Sequence, residues 1–476
     1  MASNKTIVTD ELVESLRLRL KTSELLSPAS PAYEDAIKRW SAAAIKRAGM
    51  VLLAQNTADI SQAVVFARET NIDLAIKGGG HSVAGASSSD GGLVIDLSHM
   101  RAVAVDPVQK TITAQGGALW ADVDAAADKH QLATVGGTVN HTGIGGLTLG
   151  GGMGWLSGRY GLVVDNLLAV EIVLADGRVV RASATEEPEL FWAVRGAGHN
   201  FGVVTEFVYR AYDQAGPVFA GALTFTLDKL EEIVDVLNYL QANPDQDSGF
   251  GCLLNMPPGS DDLRMDMILF YNGTEQEALK RFEKLIALEP IAKNTFMMPY
   301  VAVNGMLNAG VEHGGRRTFK GVSFVPPLRP AFLRSLAQKF LQKFQDEPDM
   351  RGSVLMLEVF DMRKIQETKV TDTATPNRGS AVNGVLALHW NDSANDARYR
   401  EWSREIQRDF EQEMERTQKD MTAADKAAAR YLNYIEPGEI AVSSVYGVNT
   451  ERVRRLKEQY DPGFIFGKTN PIDRKA

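Results

Sequence analysis

The sequence predicts a two-lobed α+β protein, on three grounds. Its 476 residues exceed what a single hydrophobic core usually organises. Up to residue 212, short strands and helices alternate with glycine clusters; beyond it the glycine clusters vanish and strands and helices lengthen. From about residue 430 the chain returns to turn-rich sequence. The expected plan is a first lobe over residues 1–212, a second over 213–429, and a closing segment, 430–476, that completes the first.

The elements follow in order. Residues 10–26 read as an opening amphipathic helix. An apolar run at 49–54, a helical stretch at 57–69 and a second apolar run at 73–76 make a βαβ-like rhythm. Strands are expected at 93–97 and 111–114, then a helix at 119–130 and a long glycine-rich passage from 136 to 161. The runs 170–175 and 179–182 flank Asp176-Gly177, a turn pair suited to a hairpin. In the second lobe, residues 264–271 alternate apolar and polar, as in a sheet with one buried face. Thr274-Glu275-Gln276-Glu277 has the pattern of a capping box at a helix start. Helices at 329–345 and 395–416, strands at 353–360 and 382–390, and a closing helix at 450–459 complete the reading.

Composition narrows the function classes. With 44% hydrophobic and 23% charged residues the chain reads as an ordinary soluble globular protein. Its net charge of -9 disfavours nucleic acid and anionic membranes as partners, since neither offers counter-charge to an acidic surface. The single cysteine, Cys252, excludes an intrachain disulfide and a multi-cysteine metal site. No apolar stretch approaches the ~18 residues of a membrane span, and the first residues lack the apolar core of a signal peptide. A cytoplasmic location is the expectation.

Three glycine-rich elements stand out, at 77–81, 136–154 and 196–202. Glycine lets backbone approach a ligand closely and present amide donors, which suits a pyrophosphate. A Rossmann reading of Gly196-Ala197-Gly198-His199-Asn200-Phe201-Gly202 fails on spacing, and residues 189–195 before it are not a clear strand. The passage Gly145-Gly146 to Gly150-Gly151-Gly152 has no helix-forming run directly behind it, and no P-loop is present. A phosphate-bearing cofactor held by another design is what remains.

Lys77-Gly78-Gly79-Gly80-His81-Ser82, followed by Asp90-Gly91-Gly92-Leu93-Val94-Ile95-Asp96-Leu97, resembles the flavinylation motif of FAD-linked oxidases. These are of the vanillyl-alcohol oxidase/p-cresol methylhydroxylase type, in the berberine-bridge-enzyme-like branch. Residues 143–154, Tyr160-Gly161-Leu162, Asp165-Asn166, Phe201-Gly202-Val203-Val204-Thr205, Tyr431-Leu432-Asn433-Tyr434 and Tyr446-Gly447-Val448-Asn449 extend the match. The resemblance implies a PCMH-type FAD-binding domain completed by the last segment. It also implies a substrate domain whose antiparallel sheet, backed by helices, lies over the flavin, with the site at the seam.

Carried over by position, His81 would bond covalently to the flavin 8α-methyl group. Lys77, Gly78, Gly79, Gly80 and Ser82 would hold FAD, with Gly137, Thr138, Thr142, Gly143, Gly145, Gly146, Gly151, Gly152, Gly154, Val203, Val204, Tyr431 and Asn433. Many members add a cysteinyl bond; the matching position here is Val139, so a single, histidyl link is expected. Positions that often carry tyrosine or polar groups are Val83, Met153 and, on a strand with Asn383 facing the same way, Val385. With Tyr434 they outline an apolar substrate pocket.

Flavin oxidation of an alcohol or amine needs a base for the departing proton. Tyr431 and Asn433, expected side by side on an extended strand, and His141 are the candidates, with His389 as a further one. A tyrosine base requires a nearby cation or hydrogen-bond donor to lower its pKa from about 10. Asp165, Asn166, Phe191 and Trp192 read as structural residues. The expected function is removal of a hydride from a small, rather apolar alcohol, amine or phenol, with dioxygen returning hydrogen peroxide. A dehydrogenase with another acceptor, a tailoring enzyme forming a ring oxidatively or without net redox change, and a non-enzymatic flavin-storing scaffold are the alternatives.

Overall fold

A computed structural model describes residues 5–435 and 441–473. Three principal sheets organise it as a two-lobed α+β fold. The first has strand order Glu24–Leu26, Met50–Leu53, Leu93–Asp96, Leu74–Lys77; the last three run parallel and the first antiparallel. Helix Thr57–Thr70 makes the crossover. Asn56 caps its start by accepting from the Asp59 amide, and Asn71, at φ 54°, ends it in the left-handed region.

The second sheet is antiparallel, in the order Val103–Asp106, Thr111–Gln115, Gly202–Arg210, Leu167–Leu174, Val179–Ser183. Its last two strands are the expected hairpin, with Gly177 at φ 87° in the turn. The third sheet has seven antiparallel strands: Ala292–Met298, Val218–Thr226, Arg264–Tyr271, Ser248–Asn255, Val354–Phe360, Val382–Trp390 and Arg316–Phe324. Helices Leu230–Ala242, Pro330–Asp346 and Asp396–Thr417 cover one face. There Leu355, Leu357 and Leu386 pack with Leu333, Phe340 and Trp402. The capping box forms as expected: Glu277 donates its amide to the Thr274 hydroxyl, and its carboxylate accepts from the Thr274 amide at 2.9 Å.

Several elements differ from expectation. The opening helix covers Asp10–Arg17 only. The buried Asp59 carboxylate accepts from the amides of Lys21, Thr22 and Ser23 at 2.8, 3.0 and 2.9 Å, which turns the chain into strand Glu24–Leu26. The glycine-rich passage contains helices Ile144–Leu149 and Ser157–Tyr160, so Gly145 and Gly146 are helical, and residues 189–195 lie in helix Pro188–Ala197. Strands Val103–Asp106, Val218–Thr226, Ser248–Asn255, Ala292–Met298 and Arg316–Phe324 were not foreseen.

Residues 441–473 pack on the first sheets. The ammonium of Lys457, in helix Thr450–Tyr460, is fully buried; it bonds Asp461 at 2.6 Å, the Asn200 carbonyl at 2.7 Å and the Phe466 carbonyl. Lys468 pairs with Asp73 at 2.6 Å. Among the described residues no helix is long and apolar enough to cross a membrane.

Candidate active site

Glycine pairs bring the first lobe's loops together. A Cβ on Gly79 would lie 2.4 Å from the Gly143 amide nitrogen, and one on Gly143 would lie 2.3 Å from that of Gly79. Loop 77–81 and the turn before helix Ile144–Leu149 therefore touch backbone to backbone. Other glycines serve the protein's own packing: a Cβ on Gly137 would meet Leu147, on Gly152 Val163, and on Gly154 the Gly136 carbonyl at 1.9 Å. Gly78 and Gly146 differ. A Cβ on Gly78 would meet nothing closer than 3.5 Å, and one on Gly146 nothing within 4 Å. Their backbones border open space that a ligand can approach.

Lys77 turns to a buried partner, Asp96, at 2.7 Å. Val203 and Val204 send their side chains into the core, so only their backbone faces the loops. Thr142 accepts from the Trp120 amide and thereby anchors the start of the glycine passage, while the Ser82 hydroxyl accepts from the Ala86 amide. Thr138 is half-buried in the same passage, and Gly145 and Gly151, the latter at φ 112°, are buried there.

The His81 ring is held on three sides. Its face stacks on Trp40, centroids 5.1 Å apart at 12°; its Nε2 lies 2.8 Å from Nδ1 of His141; the ring of His313 stands edge-on at 5.8 Å. Burial, then the neighbouring His141 and His313, press its pKa down to about 3, so the ring is neutral at ordinary pH. His141 and His313 are shifted the same way, burial leading in each. The three rings' nitrogens lie within 4.8 Å of one another. Arg317 and Lys77 add positive charge beside them, and among the described residues no carboxylate completes the group, so the arrangement suits neutral imidazoles better than a dication.

A second cluster stands across the seam. Glu358, on Val354–Phe360, pairs in register with Asn383, as Met356 does with Val385. These four side chains share the sheet face opposite the helices, because neighbours in register point the same way. Glu358 accepts from the Tyr434 hydroxyl at 3.1 Å, and burial raises its pKa to about 7. Asn383 reaches Met153 Sδ at 3.8 Å and Asn377 at 3.2 Å. Phe319 bridges the clusters, 5.0 Å from Trp40 and 6.1 Å from Tyr434.

Tyr431 and Asn433 do not lie on a strand. Tyr431 precedes and Asn433 lies within the 3-10 turn Leu432–Tyr434, formed by hydrogen bonds from Tyr434 and Ile435 back to Tyr431 and Leu432. The turn still brings them together: Asn433 Nδ2 donates to the Tyr431 hydroxyl and to the Leu147 carbonyl, each at 3.0 Å. Burial raises the Tyr431 pKa, and of its contacts only that amide and the Met153 backbone oppose the rise. Val83 is buried in the loop after His81. His389 lies at the far end of its strand from Asn383, beside Gly315 and Gly352. Asp165 pairs with Arg378 at 2.6 Å and Trp192 bonds the Thr371 carbonyl, both structural roles.

Sequence reasoning did not single out Glu358, Trp40 or His313. Glu358 carried a signal: it is the one charged residue in the apolar run Val-Leu-Met-Leu-Glu-Val-Phe. Trp40 and His313 sit in loops without periodicity and carried none.

Comparison with known proteins accounts for this architecture. Residues 48–183 match the FAD binding domain family. The chain is 34% identical to the FAD-linked oxidoreductase pgmH of Aspergillus terreus over 483 aligned residues, covering 97% of this chain and 96% of that one. The crystal structure of 6-hydroxy-D-nicotine oxidase from Arthrobacter nicotinovorans superposes with a TM-score of 0.81 at 25% identity, covering 95% of this chain and 98% of that one. Berberine bridge enzyme, solved with (S)-reticuline, shares the fold at a TM-score of 0.81 and 19% identity, over 99% of this chain and 100% of its own. With its glycine-lined cradle in one lobe and a buried acid facing it from the other, this chain belongs to the FAD-linked oxidoreductases of the PCMH type, with the berberine-bridge-enzyme-like fold.

Proposed function

We propose that this enzyme is an oxidase whose FAD is bonded to His81 alone and whose catalytic base is Glu358. The observation that carries the reading is a carboxyl group with its pKa near neutrality, buried on the sheet face at the seam and hydrogen-bonded by Tyr434. The residues fit a flavin. Gly78 and Gly146 leave open backbone, His141 Nε2 is buried without a hydrogen-bond partner among the described residues, and the neutral His81 ring is nucleophilic. FAD, when bound, supplies the hydride acceptor and the route for electrons to dioxygen.

The chain's own residues supply the rest. Glu358 takes the proton of the substrate's hydroxyl or amine, and Tyr434 fixes which carboxylate oxygen is free to do so. Asn383 offers an amide to a polar group on the substrate, while Met153, Met356 and Val385, all buried, favour a small and largely apolar body. Val139 supports a single link because it has no nucleophile. Cys252 is buried in strand Ser248–Asn255 with its thiol pKa pushed up to about 12, unsuited to a second bond. The 6-hydroxy-D-nicotine oxidase likeness supports the oxidase assignment over a dehydrogenase.

Acid denaturation of the purified protein tests the link. Flavin colour is expected in the washed pellet and is expected to be absent from the pellet of His81→Ala. Oxygen consumption with small alcohols, amines and phenols then tests the acceptor. Anaerobic bleaching of the flavin without oxygen uptake in air would overturn the oxidase reading in favour of a dehydrogenase.

A further inference from the structure

Strand Arg316–Phe324 is the last of the seven-stranded sheet, so one of its edges has no neighbouring strand. Helix Asp396–Thr417 and the segment 426–435 stand off that edge, and a groove of about 720 Å³ lies between them. It takes in both faces of the strand: Lys320 and Val322 on the helix side, Gly321 and Ser323 on the seam side. A Cβ on Gly321 would lie 3.0 Å from that of Tyr434, which packs against the strand there. Tyr431 and Tyr434 line the groove as well. Since the Tyr434 hydroxyl donates to Glu358, groove and proposed base share a wall.

A row of polar side chains joins the two. Glu358, Asn383 and Ser323 stand in register on three adjacent strands, all on the seam face. At ~4.8 Å between strands, Ser323 is about 10 Å from Glu358. Ser323 is buried, yet its hydroxyl makes no hydrogen bond among the described residues and borders the groove.

Charge sets the groove apart. Among its described lining residues six are cationic and two acidic, in a chain of net charge -9. The two acids each hold one cation: Glu415 takes Lys426 at 2.8 Å, and Glu411 takes Arg430 at only 3.4 Å. Arg404 and Arg408 share Glu401, which lies outside the lining. Phe410, Met414 and Met421 supply an apolar floor. A cleft of one charge sign with apolar walls concentrates its field on a ligand of the opposite sign.

We propose that this groove is a subsite for an acidic group, and that the substrate is a small apolar alcohol, amine or phenol that also carries a carboxylate, bound by Arg430. The inference rests on the reading of Glu358 as the base, because the distance from Glu358 sets the acid about 10 Å or more from the reacting carbon. A substrate carboxylate displaces Glu411 from Arg430, since a bidentate pair outcompetes a single contact at 3.4 Å. Arg430 thereby becomes a specificity-determining residue that touches neither the flavin nor the reacting carbon.

The test titrates phenylhexanoate and its neutral counterpart phenylhexanol into the holoenzyme and follows the flavin absorbance difference. Phenylhexanoate should bind about ten- to a hundredfold more tightly, and high salt should shrink the preference. Phenylacetate, too short to reach from the base to the groove, should show no preference over phenylethanol. Arg430→Gln should lower phenylhexanoate affinity to that of phenylhexanol. Glu411→Gln releases Arg430 and should tighten phenylhexanoate several-fold, a second reading that holds even if Arg430→Gln does not fold. Equal affinity for the pair, a preference that survives Arg430→Gln, or no flavin response to phenylhexanoate would overturn the acid subsite and leave the base assignment standing. Anaerobic flavin reduction at the wild-type rate in Glu358→Gln would instead overturn the reading on which it rests.

Discussion

Burying Glu358 on the seam face of its strand strips its charged form of water, and the Tyr434 hydroxyl returns only part of that stabilisation. The group therefore titrates near 7, where a base is both available and strong enough to act. With Glu358 as the proposed base, its carboxylate is the active form, and kcat/KM should rise with pH and level off above about 7. Glu358→Gln should lower the rate of anaerobic flavin reduction by about a hundred- to ten-thousandfold and abolish that limb. Stopped-flow absorbance at several pH values measures both. Gly79 makes a different demand. An alanine there would drive its methyl into the Gly143 backbone, so Gly79→Ala should cost ~1–3 kcal/mol and lower flavin content together, read by thermal melting and visible absorbance. At this scale His81 was legible because three glycines announced it. The acid on the strand beside Asn383 was visible as an anomaly but not as a role, since its partner Tyr434 lies 76 positions away.

Periodic elements were read well where one signal dominated. Strand Arg264–Tyr271 alternates and strand Val382–Trp390 is mostly apolar; both formed at the expected residues. The capping box at Thr274 formed too, and Thr274→Ala should cost ~1 kcal/mol while leaving flavin content unchanged. A modest drop in melting temperature at constant absorbance ratio is the expected result. The glycine passage was harder to read, because helix Ile144–Leu149 carries two glycines that intrinsic propensity argues against. Its short length and close loop contacts show tertiary packing overriding propensity. The opening helix failed for a related reason: the side chain that ends it, Asp59, belongs to a later helix, and no local pattern reports such a contact.

Across the molecule the seam is held by groups of both lobes. Asp124, buried on helix Trp120–Asp128, accepts from Asn304 Nδ2 at 2.8 Å, and burial raises its pKa to about 7. A raised carboxyl pKa favours the protonated fold. Its stabilising contribution is full below about pH 4 and is lost as pH rises through about 7. Asp124→Asn should therefore gain on the order of 3 kcal/mol over wild type at pH 8 and nothing at pH 4, in paired melting curves. The two-lobed plan was legible from length and the change of texture near residue 212. The seam pairs were not, because Asp124 and Asn304 are 180 positions apart. That separation also has a meaning in time. The glycine loops of the first lobe have all been made once Val204 has been added, but Glu358, Tyr431 and Tyr434 follow only later. At ribosomal speeds the gap from Val204 to Tyr431 lasts about 10 to 45 s. A nascent chain thus carries its glycine loops well before it has the acid and tyrosines that stand across the seam from them, and the segment that packs on its first sheets is made last of all.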